Sequence, residues 1–594
     1  MSRRRGPRAA GVDDPPHRST PRQVARPQRA PGWRSRLWPA LTALLGCAAY
    51  LNALDNPFVY DDHDTVVANA SLVDLSNVKF VLVYSPFRPL INVSYAVDRW
   101  LWGVSPFGYH LTNILLHGIA IVLVFALIRR LLADSGRRDA ADLCAGAGAA
   151  LFAVHPIQSE AVAYVSGRSE VMCAVWFLAA VLLARDAIVS RSVGRALGAI
   201  VCAALSIASK ETGLMLPLVV LGYDWLLRPG EETARRRRFW RFFLPVFVLF
   251  GSLAGYRLLA MGGSPWATHT PLLNLLTQAV VVWRYAGLIV WPWGQSIMHG
   301  VHRATSGLDP AGWIALTGLA AVSAGALLVR RSHPVVTLGV LWFLAVLAPS
   351  SSVVALREGM AEHRVYLASV GIFMSAAGVL TTRLEGERPS HRVTRAVAAG
   401  LAAVVTICFV LTVLRNQVWA SPVTLWAEAT VRAEGMWEPH YALADSLREK
   451  GDCGAALAEY RAVVALRPEH RDAFTNLGIC LAQSGEVAEA EQVFRRVLEI
   501  DPSFSRGYTN LGALALVAGD TARARDYYRE ALAQDPGNVL ARMQLASLYE
   551  HTFHDYHAAA RMCGEARSLA PSTAGVVDCV ERNQRLAADK DAGR

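Results

Sequence analysis

At 594 residues, 53% hydrophobic and only 18% charged, with a mean hydropathy of +0.28, the chain is too apolar for an ordinary soluble globular protein. Its formal charge of +11 is a poor argument for nucleic acid as a partner. Residues 1–36 hold ten arginines against Asp13 and Asp14, which leaves only about +3 for everything else. The nine cysteines lack the close spacing of a zinc site or redox motif, and five lie in apolar segments (Cys47, Cys144, Cys173, Cys202, Cys408). They read as small hydrophobes, with no disulfide framework to infer.

In chain order, the basic segment 1–36 reads as a disordered cytoplasmic tail, with no cleavable h-region behind it. Residues 37–414 then carry apolar blocks of roughly 12 to 22 residues, most of them long enough for a hydrocarbon core about 30 Å thick. The blocks are 37–54, 111–132, 143–154, 170–188, 193–209, 213–227, 239–260, 313–329, 335–349, 365–382 and 396–414. A further stretch, 272–291, is interrupted by Gln278, Arg284 and Tyr285. Arginines favour the cytoplasmic side. If 272–291 is re-entrant or interfacial, Arg129 and Arg130, Arg185, Arg235 to Arg238, Arg330 and Arg331, and Arg383 all fall inside. The sequence therefore predicts an all-α protein with about 11 spans, its first long loop and everything after residue 414 lying outside the cytoplasm.

From residue 437 a different period takes over. Leu443, Leu477, Leu511 and Leu545 recur every 34 residues, as do Gly451, Gly485 and Gly519, Tyr460, Phe494 and Tyr528, and Pro468, Pro502 and Pro536. That period identifies tetratricopeptide helix pairs. About four repeats occupy 437–573, a half-repeat at 415–436 joins them to the last span, and 574–594 is left as a C-terminal tail. Stacked repeats of this kind present a groove to partner proteins, but every recurring residue is a packing position and none identifies the ligand.

The candidate chemistry lies in the outer loops. The first opens on Asp61-Asp62, followed by Asp64; two carboxylates beside a span read either as a solvated turn or as a general base with its orienting partner. Arg88, set between Pro86 and Pro89, either snorkels to lipid or clamps one phosphate. The second outer loop, from His155-Pro156 to Glu170, places Glu160, Tyr164 and Arg168 at helical spacing on one face, which also suits an interfacial helix. Lys210-Glu211, Arg284 and Glu362-His363-Arg364 complete the set on the same side, with Lys210 and Glu211 readable as an ion pair. No Walker loop, dinucleotide glycine pattern, zinc-ligand pair or nucleophile elbow is present in the sequence.

Phe58-Val59-Tyr60-Asp61-Asp62, the stretch His155-Pro156 to Arg168, Ser209-Lys210-Glu211-Thr212-Gly213 and Glu362-His363-Arg364-Val365-Tyr366-Leu367, followed by tetratricopeptide repeats, occur in one order. In that order the chain resembles the transmembrane and tetratricopeptide-repeat-containing protein O-mannosyltransferases and their bacterial relatives, over about residues 37 to 575. The resemblance implies a type C glycosyltransferase, a multispan enzyme using a polyprenyl-phosphate sugar. It implies Asp61 and Asp62 as the catalytic acidic pair. Arg88, Arg168, Arg284 and Arg364 are the candidates for the lipid phosphate by position and charge, with His155 and Glu160 as further substrate-binding candidates. Eukaryotic members mannosylate Ser or Thr of proteins in the endoplasmic reticulum lumen. The short repeat array and the Arg-rich, Lys-poor composition point here to a bacterial protein in an inner membrane.

The implied reaction is a direct displacement with inversion, in which a carboxylate takes the acceptor's proton and arginines stabilise the departing phosphate. It calls for no cofactor and no metal. The partners are then the polyprenyl-phosphate donor, membrane lipid, and an extracytoplasmic acceptor protein engaged through the repeats. Two other readings stay open: a non-enzymatic membrane-anchored scaffold, and a transferase acting on lipid or polysaccharide.

Overall fold

The computed structural model describes residues 33–228, 231–260, 270–351, 356–385 and 391–592; the basic tail lies, up to residue 32, outside the described residues. All regular structure among the described residues is helical. The first helix, α1 (Trp33–Ala49), leads into a long loop with two helices of its own, α2 (Val78–Tyr84) and α3 (Pro89–Trp102). Then come α4 (Pro106–Asp134), α5 (Ala141–Val154), the short α6 (Ser159–Val162), α7 (Arg168–Ser190), α8 (Val193–Ser209) and α9 (Leu216–Leu227). The membrane part continues with α10 (Glu232–Arg238), α11 (Leu244–Ala260), α12 (Pro271–Val290), α13 (Pro310–Leu328), α14 (Pro334–Leu347), α15 (Val365–Glu385) and α16 (His391–Val418). Among the described residues, six helical segments are long and apolar enough to cross a membrane: 106–134, 165–190, 271–290, 310–328, 362–385 and 395–418. Four more apolar helices are shorter.

Local chemistry explains the starts. Thr270 and Asp309 each accept a backbone N–H of the first turn, and a proline follows each at the first helical position, where a missing N–H costs nothing. Close packing explains the pairing of α14 with α15. A Cβ on Gly339 would lie 2.3 Å from the Gly371 carbonyl oxygen, so these antiparallel helices touch through backbone. The Trp342 indole donates to Leu367 O at 2.9 Å across the same seam.

The stretch 272–291 forms one unbroken helix, α12, because its polar residues face protein. Gln278 donates to Gly359 O at 2.8 Å, Arg284 to Gly300 O at 2.7 Å and Tyr285 to Ala361 O at 2.9 Å. Residues 291–309 then run back beside it, Gly300 at Arg284 and Ala304 N donating to Thr277 Oγ1 at 3.0 Å. Next, α13 starts alongside the beginning of α12: a Cβ on Gly312 would meet Leu276 at 2.6 Å, and Trp283 donates to Ala315 O at 3.0 Å. The two helices therefore run parallel, and residues 271–309 begin and end at the same end of the bundle.

The repeats begin with a single helix, α17 (Pro422–Arg432), followed by the pairs α18 (Trp437–Glu449) with α19 (Cys453–Leu466), and α20 (Arg471–Gln483) with α21 (Val487–Ile500). Two further pairs and a closing helix complete the stack: α22 (Ser505–Val517) with α23 (Thr521–Gln534), α24 (Val539–His551) with α25 (Tyr556–Leu569), and α26 (Ala574–Asp591) alone at the end. Gly451, Gly485 and Gly519 end the first helix of their pairs at φ of +84°, +84° and +78°, the left-handed position a helix terminus reserves for glycine. Tyr460, Phe494 and Tyr528 are buried between neighbours.

Two expectations are corrected here. Residues 574–591 form a helix whose Val576, Val580 and Asn583 are buried against the last pair, so the expected C-terminal tail is an amphipathic cap on the solenoid. Four cysteines, read as small hydrophobes without a disulfide framework, pair as Cys453–Cys480 and Cys563–Cys579, with Cα atoms 5.0 and 5.7 Å apart. Each bridge joins two packed helices, a proximity that spacings of 27 and 16 residues do not reveal along the chain. All five cysteines of the membrane part are free.

Candidate active site

The loop after α1 and the loop between α5 and α7 meet at one end of the helical bundle, and there the adjacent carboxylates part company. Asp62 is fully buried. One of its oxygens accepts from Ser166 N at 2.8 Å and Ser166 Oγ at 2.6 Å, and the other from Val59 N at 3.2 Å. Asp62 thus ties the first outer loop to the second. Asp61 is solvent-exposed, and its backbone N–H donates to the Tyr164 hydroxyl at 3.1 Å. It has no ion-pair partner among the described residues. Tyr60 takes a left-handed backbone, φ 51°, and this turn sends the two carboxylates in different directions.

The surroundings raise the pKa of both. Partial desolvation by the surrounding residues, then the Glu358 carboxylate, push Asp61 up to about 6 against the opposing Arg357. Burial pushes Asp62 up to about 7, against the hydrogen bonds from Ser166 and Val59. A carboxyl near 6 with an open face suits proton abstraction near neutral pH.

The second outer loop is not the single helical face its spacing suggests. After α6 the chain extends at Tyr164 (φ −96°, ψ 126°) and turns back through Gly167 before α7 begins. A Cβ on Gly167 would lie 2.6 Å from the carbonyl oxygens of Glu160 and Ala161. Glu160, Tyr164 and Arg168 therefore point to three places. Glu160 accepts from the His363 backbone at 3.1 Å and pairs with His363 Nδ1 at 2.6 Å; burial first, then the negative charges of Glu362 and Glu358, raise its pKa. Tyr164 reaches Asp61, as above. Arg168 is enclosed completely: it meets Asp98 at 2.6 Å, Asn113 Oδ1 at 2.8 Å, Ser94 at 3.2 Å and Tyr109 O at 2.9 Å. Its guanidinium also lies 4.6 Å from the centre of the Tyr95 ring. Nothing of Arg168 is left facing a phosphate.

Of the other candidates, Arg88 forms an ion pair with Glu211 at 3.3 Å while its side chain stays 41% exposed. Lys210 pairs with Glu170 at 2.6 Å, both buried, so Lys210 and Glu211 each take a partner elsewhere instead of one another. Arg364 bonds Glu358 O at 3.0 Å and approaches its carboxylate at 3.6 Å; Glu358 in turn accepts from the Tyr60 hydroxyl at 2.9 Å. Arg284 holds Gly300 and His299. His155 is buried, with Nε2 2.9 Å from Ile289 O and Nδ1 accepting from Ile157 N at 3.2 Å; it fastens the loop to the end of α12. Glu362 is buried and receives Ser296 N, Gln295 and His299.

Several residues of this site carry no sequence signal: Ser166, Asp98 and His299 are single polar residues with partners far along the chain, and Glu358 joins the distant Tyr60 to the nearby Arg364. The same holds for two tryptophans that join the repeats to the loop. Trp419 stacks on Tyr164 with ring centres 5.5 Å apart, and Trp426 of α17 meets Tyr60 edge-on at 5.4 Å. Gly300 N also donates to Arg432 O at 3.2 Å. The half-repeat is thereby the wall of the loop that carries Asp61. No group of three or more His, Cys, Asp or Glu among the described residues could hold a metal ion.

Residues 441–503 and 505–548 match the tetratricopeptide repeat family. Protein O-mannosyl-transferase Tmtc1 of Drosophila melanogaster is 33% identical over 212 residues, 33% of this chain and 24% of that protein. The human Protein O-mannosyl-transferase TMTC1 is 24% identical over 517 residues, reaching 74% of this chain and 56% of its own length. Over these stretches the chain is similar to the TMTC protein O-mannosyl-transferases. This chain spans between about a quarter and somewhat over half of the length of those relatives. Among solved structures, the crystal structure of MamA protein is similar over 26% of this chain and 85% of its own, at 18% identity and a TM-score of 0.24.

Proposed function

We propose that this protein is an integral-membrane mannosyltransferase that moves a sugar from a polyprenyl-phosphate donor to Ser or Thr hydroxyls of extracytoplasmic proteins. The observation that carries the reading is the division of labour at Asp61-Asp62. One carboxylate is exposed and held near 6, with no ion pair among the described residues; the other is spent on fixing the loop. Asp61 takes the acceptor's hydroxyl proton. The acceptor oxygen forms its bond to the anomeric carbon as the bond from that carbon to the phosphate oxygen breaks, and polyprenyl phosphate departs with the electron pair. Configuration inverts because attack and departure lie on opposite faces.

Arg88 and Arg364 are the phosphate candidates retained, since each has one acidic partner and stands at the loop end of the bundle. A guanidinium there offsets charge developing on the leaving phosphate. Arg168, His155, Glu160 and Arg284 hold the loops that carry these groups. The names of the relatives support mannose as the sugar and protein as the acceptor.

The proposed topology places the site and the repeats outside the cytoplasm. Two observations support it. With α12 and α13 running parallel, residues 271–309 begin and end at the same end of the bundle, which fits a re-entrant or interfacial 272–291 and the arginine distribution. Both disulfides belong to the repeats, and disulfides persist in oxidising compartments.

The test is transfer by the reconstituted protein from polyprenyl-phosphate mannose to a Ser/Thr-rich peptide, with the product's anomeric configuration determined. Mannosylated peptide of configuration opposite to the donor's is expected. Retention overturns the displacement, and absence of transfer to peptide or to any glycan favours the scaffold.

A further inference from the structure

A second site lies at the other end of the bundle. Between α9, α10 and α14 runs a groove of about 1030 Å3, at the upper end of the roughly 300–1,000 Å3 that small-molecule pockets occupy. Its walls are apolar, Leu218, Leu221 and Trp225 facing Leu338 and Leu341, and its polar lining is Glu232, Arg235 and Arg236. Leu218 and Trp225 remain 45% and 40% exposed.

The arginines of α10 are unequal. Arg238 is tied down by Asp224 at 2.6 and 3.1 Å and by Glu231 at 3.1 Å, which anchors α10 beside the groove. Arg235 reaches only Glu232, at 3.7 Å, and Arg236 has no ion pair among the described residues. A third cation, Arg330, lies 5.9 Å from the Trp225 ring. This mouth is remote from Arg88: α9 starts beside the turn that holds Glu211 and runs 12 residues away from it, about 18 Å at 1.5 Å per residue.

We propose that this groove binds one anionic phospholipid of the cytoplasmic-side leaflet, its acyl chains between α9 and α14 and its phosphate on Arg235 and Arg236. The apolar walls match the chains, and the cationic mouth matches the headgroup at the end where the chain's arginines gather. The inference rests on the membrane reading and is independent of sugar transfer.

The test is native mass spectrometry of the delipidated full-length protein titrated with phosphatidylglycerol, phosphatidylcholine or glycerol phosphate. One equivalent of phosphatidylglycerol is expected to bind on the order of tenfold more tightly than phosphatidylcholine, as two surface arginines allow. R235Q/R236Q abolishes that preference. R191Q/R195Q, which removes equal charge outside the groove, keeps it. Gly222→Phe, whose side chain grows toward Leu338 from a Cβ 3.2 Å away, weakens both lipids alike. Equal binding of the two lipids, or loss of preference in R191Q/R195Q as well, overturns the proposal. Glycerol phosphate binding as tightly as the lipid makes this an anion site and overturns the lipid assignment.

Discussion

Arg168 and Arg88 are two outer-loop arginines that a sequence cannot rank, and the structure gives them opposite responses to truncation. Arg168→Ala removes a guanidinium with no exposed surface and leaves Asp98, 4% exposed, without its cation. Breaking a buried pair from one side costs about 3–5 kcal/mol, because the remaining charge stays desolvated. Lost hydrogen bonds to Asn113 and Tyr109 O and the ring contact with Tyr95 place the expected loss at the upper part of that range. Arg88→Ala breaks a pair whose members are 41% and 38% exposed, and such pairs contribute roughly 0–1 kcal/mol. Denaturant unfolding in detergent, followed by tryptophan fluorescence, reads the difference. Arg168→Ala is expected to unfold far earlier than wild type. Arg88→Ala is expected to keep its midpoint while raising KM for the lipid donor. An Arg168→Ala protein as stable as wild type, with only its donor KM raised, refutes the enclosed placement and returns Arg168 to the phosphate site.

Asp62→Ala is expected to lower stability by about 2 kcal/mol through the orphaned Ser166 and Val59 donors and to abolish transfer, while Asp61→Asn keeps wild-type stability; equal stability of the two variants contradicts the division of roles. In cells, Cys453 and Cys480 are expected to resist alkylation until a reductant is added, and ready labelling without reductant contradicts both the bridge and the extracytoplasmic repeats. Transfer is expected to survive chelation by EDTA; loss restored by a divalent ion contradicts metal-independent departure of the phosphate.

Local features proved readable. The period of 34 residues marks glycine, aromatic and proline positions whose roles are set within one helix pair, and the structure places Gly451 and Tyr460 accordingly. Apolar runs marked the membrane helices because burial in lipid leaves a continuous signature. What the sequence could not separate depends on contacts distant along the chain. Asp61 and Asp62 are chemically alike and adjacent, and only Ser166, more than a hundred residues on, consumes one of them. Helical spacing put Glu160, Tyr164 and Arg168 on one face, but the close approach of Gly167 to Glu160 breaks the helix between them. Cysteine spacing concealed both bridges because their partners sit on separate helices.

The pH dependence of transfer at saturating donor tests the role of Asp61 most directly. A base held near 6 must be ionised to act, so activity is complete above that value and falls as pH drops through it. Removing a general base costs about 10²–10⁴-fold in rate. The account predicts a single limb near pH 6 in the wild-type protein, and a folded Asp61→Asn variant slower by that factor with the limb gone. Transfer at the wild-type rate in Asp61→Asn, or an unchanged limb, contradicts it.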